Sequence, residues 1–219
     1  MKTQKSSALF LDAMLSAICG TMLSTALFAG LFTVVYFTSA TITPATAKGD
    51  NAKEAVEFDA QGNLIQPDNF AWREWVYIGS PLTPNDLNPP QASFPEFHNV
   101  YINPEAYAHY KQTGKFPQGT VIIKELVSVG STQASSGKGY FQGDFIGLEA
   151  TVKDAKRFPD EPGNWAYFTF SHEPAPYPRT AKLQPAASCN MACHQALAED
   201  DWVFTQYYPV LRDAKGKGM

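Results

Sequence analysis

The sequence predicts an α+β fold, predominantly antiparallel β-sheet with a few short helices. Two observations predict it. Three apolar, β-branched and aromatic runs follow one another between residues 119 and 172, joined by short Gly- and Pro-containing connections, as in an antiparallel sheet. The intervals around them hold only short helix signals and no long 3.6-residue periodicity. With 44% hydrophobic and 17% charged residues, the 219-residue chain can bury a sizeable core, which excludes disorder as its main state. A net charge of −4 argues against a nucleic-acid partner held by a basic surface. Three cysteines, Cys19, Cys189 and Cys193, are too few for a disulfide scaffold.

The elements follow in order. Residues 14–37 form an apolar run preceded by Lys2 and Lys5 and followed by the small residues Ala45-Thr46-Ala47. Two readings stand for residues 1–47. One is a signal peptide cleaved after Ala47. The other is an uncleaved membrane anchor, since the run exceeds the roughly 20 residues that a span requires. Both export the rest of the chain, to the periplasm. Cys19 lies within this segment as a small apolar residue. Residues 48–68 are polar and read as a linker, which leaves 69–219 as the functional domain. "NFAWREWVYIG" forms a first element packed through Phe70, Trp72, Trp75 and Tyr77 and closed by Gly79. A Pro- and Asn-rich loop follows.

"HNVYI" reads as a short strand. Asn103 as N-cap and Pro104 at the first helical position open a helix that stops at Gly114. "GTVIIKELVSVGS" is the clearest strand. A loop over 131–139 leads to a second strand, "YFQGDFIGLEATVKD", and "NWAYFTFSH" is a third. Alternation puts Lys124 with Ile122 and Leu126, and Glu125 with Ile123 and Val127. Each face then carries one charge among apolar neighbours, so parity does not choose between them. Glu149 shares its face with Phe145 and Gly147, and Asp144 lies on the other. Gly143 and Gly147 mark a close approach of something bulky to the second strand. An irregular Pro-rich stretch leads to a short helix from Cys189 to about Glu199, and an aromatic segment ends the domain. The four tryptophans read as core residues, and His109 and His172 as structural or surface.

The sharpest chemical signal is Cys189-Asn190-Met191-Ala192-Cys193-His194. C-x-x-C-H is the attachment signature of c-type haem, in which two thiols bond the porphyrin and the histidine ligates iron. Here the spacing is one residue longer, yet i and i+4 still share a helical face. A Cys189–Cys193 disulfide, which export would permit, and another metal site are the alternatives.

The sequence resembles the cytochrome P-460 family over most of the exported domain, from Trp72 to Leu211. The stretches that carry the likeness are "REWVYIGSPLTPNDLN", "FPEFHNVYINPEAYAHYKQTGKFPQGTVIIKELVSVGS", "GYFQGDFIGLEATVKDAKRFPDEPGNWAYF" and "VFTQYYPVL". The resemblance implies an exported homodimer with one covalent haem c per chain packed against the sheet. It implies a hydroxylamine oxidoreductase that forms nitrous oxide, handles nitric oxide and passes electrons to a soluble cytochrome. Carried onto this sequence, Cys189 and Cys193 hold the haem, His194 is the proximal iron ligand, and Lys124 is cross-linked to the porphyrin edge. Glu149 is the distal carboxylate, and His98 stands where some members carry arginine. A non-catalytic nitric-oxide-binding or electron-transfer cytochrome of the same fold is the competing reading.

Overall fold

The computed structural model describes residues 54–170 and 177–217. Residues 1–47, expected from the sequence to direct export, and His172 lie outside the described residues. Among the described residues, eight strands form two sheets. β3 (Val76–Gly79), β4 (Phe97–Ile102), β5 (Thr120–Ala134), β6 (Gly137–Lys153) and β7 (Trp165–Thr169) pair in that order, every neighbour antiparallel. β1 (Glu57–Phe58), β2 (Leu64–Ile65) and β8 (Thr180–Ala181) make a small second sheet. Helix α1 (Pro104–Thr113) connects β4 to β5, and α2 (Pro209–Ala214) ends the chain.

Both faces of the central part of the large sheet are buried. On one, Val121, Ile123, Leu148, Ala150, Val152 and Phe168 pack with Trp72, Phe158 and Phe170, and with Val56, Leu64 and Ala181 of the small-sheet region. On the other, Val100, Ile102, Ile122, Trp165 and Tyr167 pack against Ala106 and Tyr110 of α1, and against Val203 and Leu211. Two buried faces explain why the apolar run in β5 does not alternate. They also correct the linker over 48–68. Residues 54–68 include two strands, and Val56 and Leu64 belong to the core. The segments are too short and too polar in their surroundings to show a period.

Three local details depart from the sequence expectations. First, the loop over 131–139 is mostly ladder. β5 and β6 form one long hairpin, with Gln133 opposite Lys138 and Ala134 opposite Gly137. Residues 130–133 are exposed, so this part of the ladder pairs backbone without burying side chains. Second, Asn103 occupies the N-cap position but makes no capping bond. Its Oδ1 accepts from Val121 N at 2.8 Å, and its Nδ2 donates to Gly119 O at 3.3 Å, tying the helix start to β5. Third, a bulge at Ile146 separates the pairs Leu126–Gly147 and Val127–Phe145. Phe145 therefore leaves the face of Glu149 and packs edge-on against Phe70, 5.5 Å between centroids. Gly143 faces a backbone: a Cβ there would lie 2.6 Å from Ser128 Oγ and 2.8 Å from Gly130 Cα.

The structure separates the two charges that parity left equivalent. Glu125 shares the Ile123 face and is 2% exposed. It accepts hydrogen bonds from Arg73, from Nε at 2.8 Å and from Nη2, and Asn99 Nδ2 donates to it at 3.4 Å. Arg73 itself is half-exposed. Arg73→Ala should therefore strip the main counter-charge from a buried carboxylate and cost about 1–3 kcal/mol, with water entering the vacated space moderating the loss. Urea unfolding checks this, and adding Glu125→Gln to Arg73→Ala should recover part of the stability.

Candidate functional site

Antiparallel register sets Lys124 directly opposite Glu149, and Lys124 Nζ lies 2.5 Å from Glu149 Oε2. Both side chains are 25% exposed, so the pair is neither core nor open surface. On the other side of β5, Val100 opposes Lys124 and His98 opposes Leu126. His98, Lys124 and Glu149 therefore stand on one sheet face, on three adjacent strands.

The Cys189–His194 segment serves the same face. Cys189 packs against the cluster of Ile122, Trp165 and Tyr167 on that face, and the His194 ring lies beside Tyr167. Residues Asn190–Gln195 wind as a π-helix, with Met191 N donating to Ala186 O, five residues back, at 2.8 Å. A π turn takes one residue more than an α turn. It absorbs the residue that lengthens the cysteine spacing. Both thiols are free, Cys189 half-buried and Cys193 exposed, so the disulfide alternative is not formed. Burial pushes the Cys189 thiol up, and the Glu149 charge adds to the effect. Among the described residues, no three His, Cys, Asp or Glu side chains come together as a metal cluster.

His194 has the tautomer and the charge state that a metal ligand needs. Its Nδ1 lies 2.8 Å from Trp202 O. A carbonyl only accepts, so Nδ1 carries the proton and the Nε2 lone pair is left for a metal. Burial pulls the imidazole pKa down to about 4 and keeps the ring neutral; the Trp202 carbonyl opposes this shift. The ring lies between Tyr167 and Phe204, at 4.4 and 4.6 Å between centroids. Two free thiols and a neutral imidazole with Nε2 unprotonated are the donor set that a covalently held haem requires.

Sequence reasoning missed several residues here. Glu96 Oε1 lies 3.4 Å from His98 Nε2. Burial works against the Glu96 carboxylate, but the His98 hydrogen bond and the fields of His98 and Lys124 outweigh it and leave its pKa lowered. Glu96-x-His98 in an extended segment puts both side chains on one side, a signal that was available. Phe94 receives Lys124 Nζ over its ring at 5.2 Å. A groove of about 450 Å³, lined in part by Glu96, Ser128, Tyr140 and Ile146, opens beside this cluster. Burial holds the Tyr167 and Tyr208 phenols well above the ordinary tyrosine range, and the Glu149 charge contributes at Tyr208.

Asn190, an unspecified position of the motif, is 1% exposed. Its Nδ2 donates to Trp165 O at 2.8 Å and to Pro162 O at 3.1 Å, joining the π turn to the start of β7. Asn190→Ala should leave these carbonyls unpaired and cost about 1–3 kcal/mol in urea unfolding. Met191→Ala, one residue on and exposed, should cost less than about 0.5 kcal/mol.

No curated protein matches the chain. The Cytochrome P460 family model matches residues 70–205, a span that contains every strand of the large sheet, the Lys124–Glu149 pair and the whole Cys189–His194 segment. By that match the chain belongs to the cytochrome P460 family and is a c-type haem protein.

Proposed function

We propose that this protein oxidises hydroxylamine to nitrous oxide outside the cytoplasm, also handles nitric oxide, and passes the electrons to a soluble cytochrome. The working unit in this reading is an exported homodimer. The observation that carries it is the Lys124–Glu149 ion pair, which stands on the same sheet face as Cys189 and His194. A cytochrome that only binds a gas or relays electrons has no need of a titratable carboxylate and an amine on its haem-side face.

In this reading Cys189 and Cys193 would hold the haem by adding their S–H bonds across its two vinyl groups, and His194 Nε2 would bind its iron. Lys124 Nζ would be joined to the porphyrin by an N–C bond that replaces one N–H and one C–H, a two-electron oxidation for which a peroxide is the oxidant. The bound haem would supply a redox-active iron as the electron acceptor. Hydroxylamine oxidation to nitrous oxide releases as many protons as electrons, and those protons need an acceptor near the reacting nitrogen. Glu149 serves as that acceptor. His98, hydrogen-bonded to the Glu96 carboxylate, offers a second proton site on the same face. The neutral, fixed tautomer of His194 keeps its Nε2 available across the physiological pH range.

The test separates the roles. Haem should stay on the polypeptide through acid–acetone extraction and denaturing electrophoresis; haem that washes out would remove the thioether assignment. Lys124→Ala should return an ordinary c-type reduced spectrum. Glu149→Gln should keep the parent spectrum and still bind hydroxylamine, with turnover lowered about 10²–10⁴-fold, the range typical of lost general-base help. Full turnover in Glu149→Gln would exclude it as the proton acceptor. A parent spectrum in Lys124→Ala would exclude the cross-link, and the nitric-oxide-binding reading would then lead.

A further inference from the structure

The carbonyl that fixes the His194 tautomer sits on an unfavourable turn. Residues Asp200 to Val203 form a tight reversal closed by Val203 N donating to Asp200 O at 2.8 Å. Its central residues, Asp201 and Trp202, have φ of 45° and 61°. Two successive left-handed residues describe a type I′ geometry, which favours Asn-Gly. A tryptophan at the second position is a conformational outlier for a bulky side chain. Such backbone persists only where the surroundings over-determine it.

Those surroundings are specific. The Asp201 carboxylate is ion-paired with Lys153 Nζ and accepts from Trp165 Nε1 at 3.2 Å. Lys153 and Trp165 are cross-strand partners on β6 and β7, so both donors come from the rigid sheet. The Trp202 ring lies over Gly163, where a Cβ would come within 2.6 Å of it. The Trp202 carbonyl so held also accepts from Tyr167 Oη at 3.3 Å.

We propose that Asp201, clamped by Lys153 and Trp165, is a positioning residue that holds the Asp200–Val203 turn so that the Trp202 carbonyl accepts the His194 Nδ1 proton, and that this clamp tunes the reduction potential of the iron His194 ligates. The proposal rests on the reading of His194 as that ligand. A firm hydrogen bond at Nδ1 raises the basicity of Nε2, which strengthens the iron bond and favours the ferric state. Loosening the turn weakens the bond and raises the potential.

The experiment uses the haem-loaded protein. The readouts are the reduction potential and the iron–histidine stretching frequency of the ferrous form. Asp201→Ala should raise the potential and lower the frequency, with the haem still covalently attached. Lys153→Met should shift both the same way but less, because Trp165 still holds the carboxylate. It also provides the test if Asp201→Ala does not fold. Asp201→Asn combined with Trp202→Gly installs the favoured turn residues, needs no clamp, and should restore both readouts to the parent values. Parent values in a folded Asp201→Ala or Lys153→Met would overturn the proposal, as would a double variant no closer to the parent than Asp201→Ala. Failure of the underlying reading is distinct: the iron–histidine band would then persist in His194→Gly.

Discussion

The register between β5 and β6 is the constraint on which the rest depends. Because side chains alternate, a slip of one residue would exchange the faces of Lys124 and Glu125. The apolar residues resist such a slip only weakly, since both faces of β5 are buried and both accept Val, Ile and Leu. The charges specify it. Glu125 finds Arg73 and Asn99 on one face, while Lys124 finds Glu149 on the other. Each side chain, moved to the opposite face, would be a half-buried charge without its partner. The same polar contacts that place the site also select the fold's pairing.

The Cys189–His194 segment shows a comparable economy. A motif one residue longer than the common haem signature is wound into a π turn instead of being looped out. Asn190 pins that turn to the carbonyls of Pro162 and Trp165. The neighbouring Trp165 indole holds Asp201, whose turn presents the Trp202 carbonyl to His194. The start of β7 thus reaches the histidine by two routes, one through the motif and one through the turn. Within the same turn Cys193 and Met191 are exposed while Asn190 is buried.

The sheet was largely legible in the sequence. β4, β5, β6 and β7 stand where β-branched and aromatic runs bounded by glycine or proline put them, and Pro104 opens α1. The Cys189–His194 motif was legible from its residue types alone, and Lys124 and Glu149 from the family resemblance. What escaped depends on backbone geometry or on partners distant in sequence. The hairpin beyond Val129 pairs backbone through exposed Ser, Thr and Gln side chains, which carry no apolar signal. The bulge at Ile146 reverses parity for Phe145 without changing composition. β1 and β2 are two residues each, below the length at which alternation can be read. Trp202 read as a core residue, whereas its carbonyl, a group that side-chain identity does not encode, holds His194.

The claim at the centre is that one haem joins β5 to the Cys189–His194 turn. Proteolytic digestion of the haem-loaded protein followed by mass spectrometry tests it most directly. A single haem-bearing species containing both the Cys189/Cys193 peptide and the Lys124 peptide is the predicted result. Haem on the cysteine peptide alone, with the Lys124 peptide recovered unmodified, would contradict it.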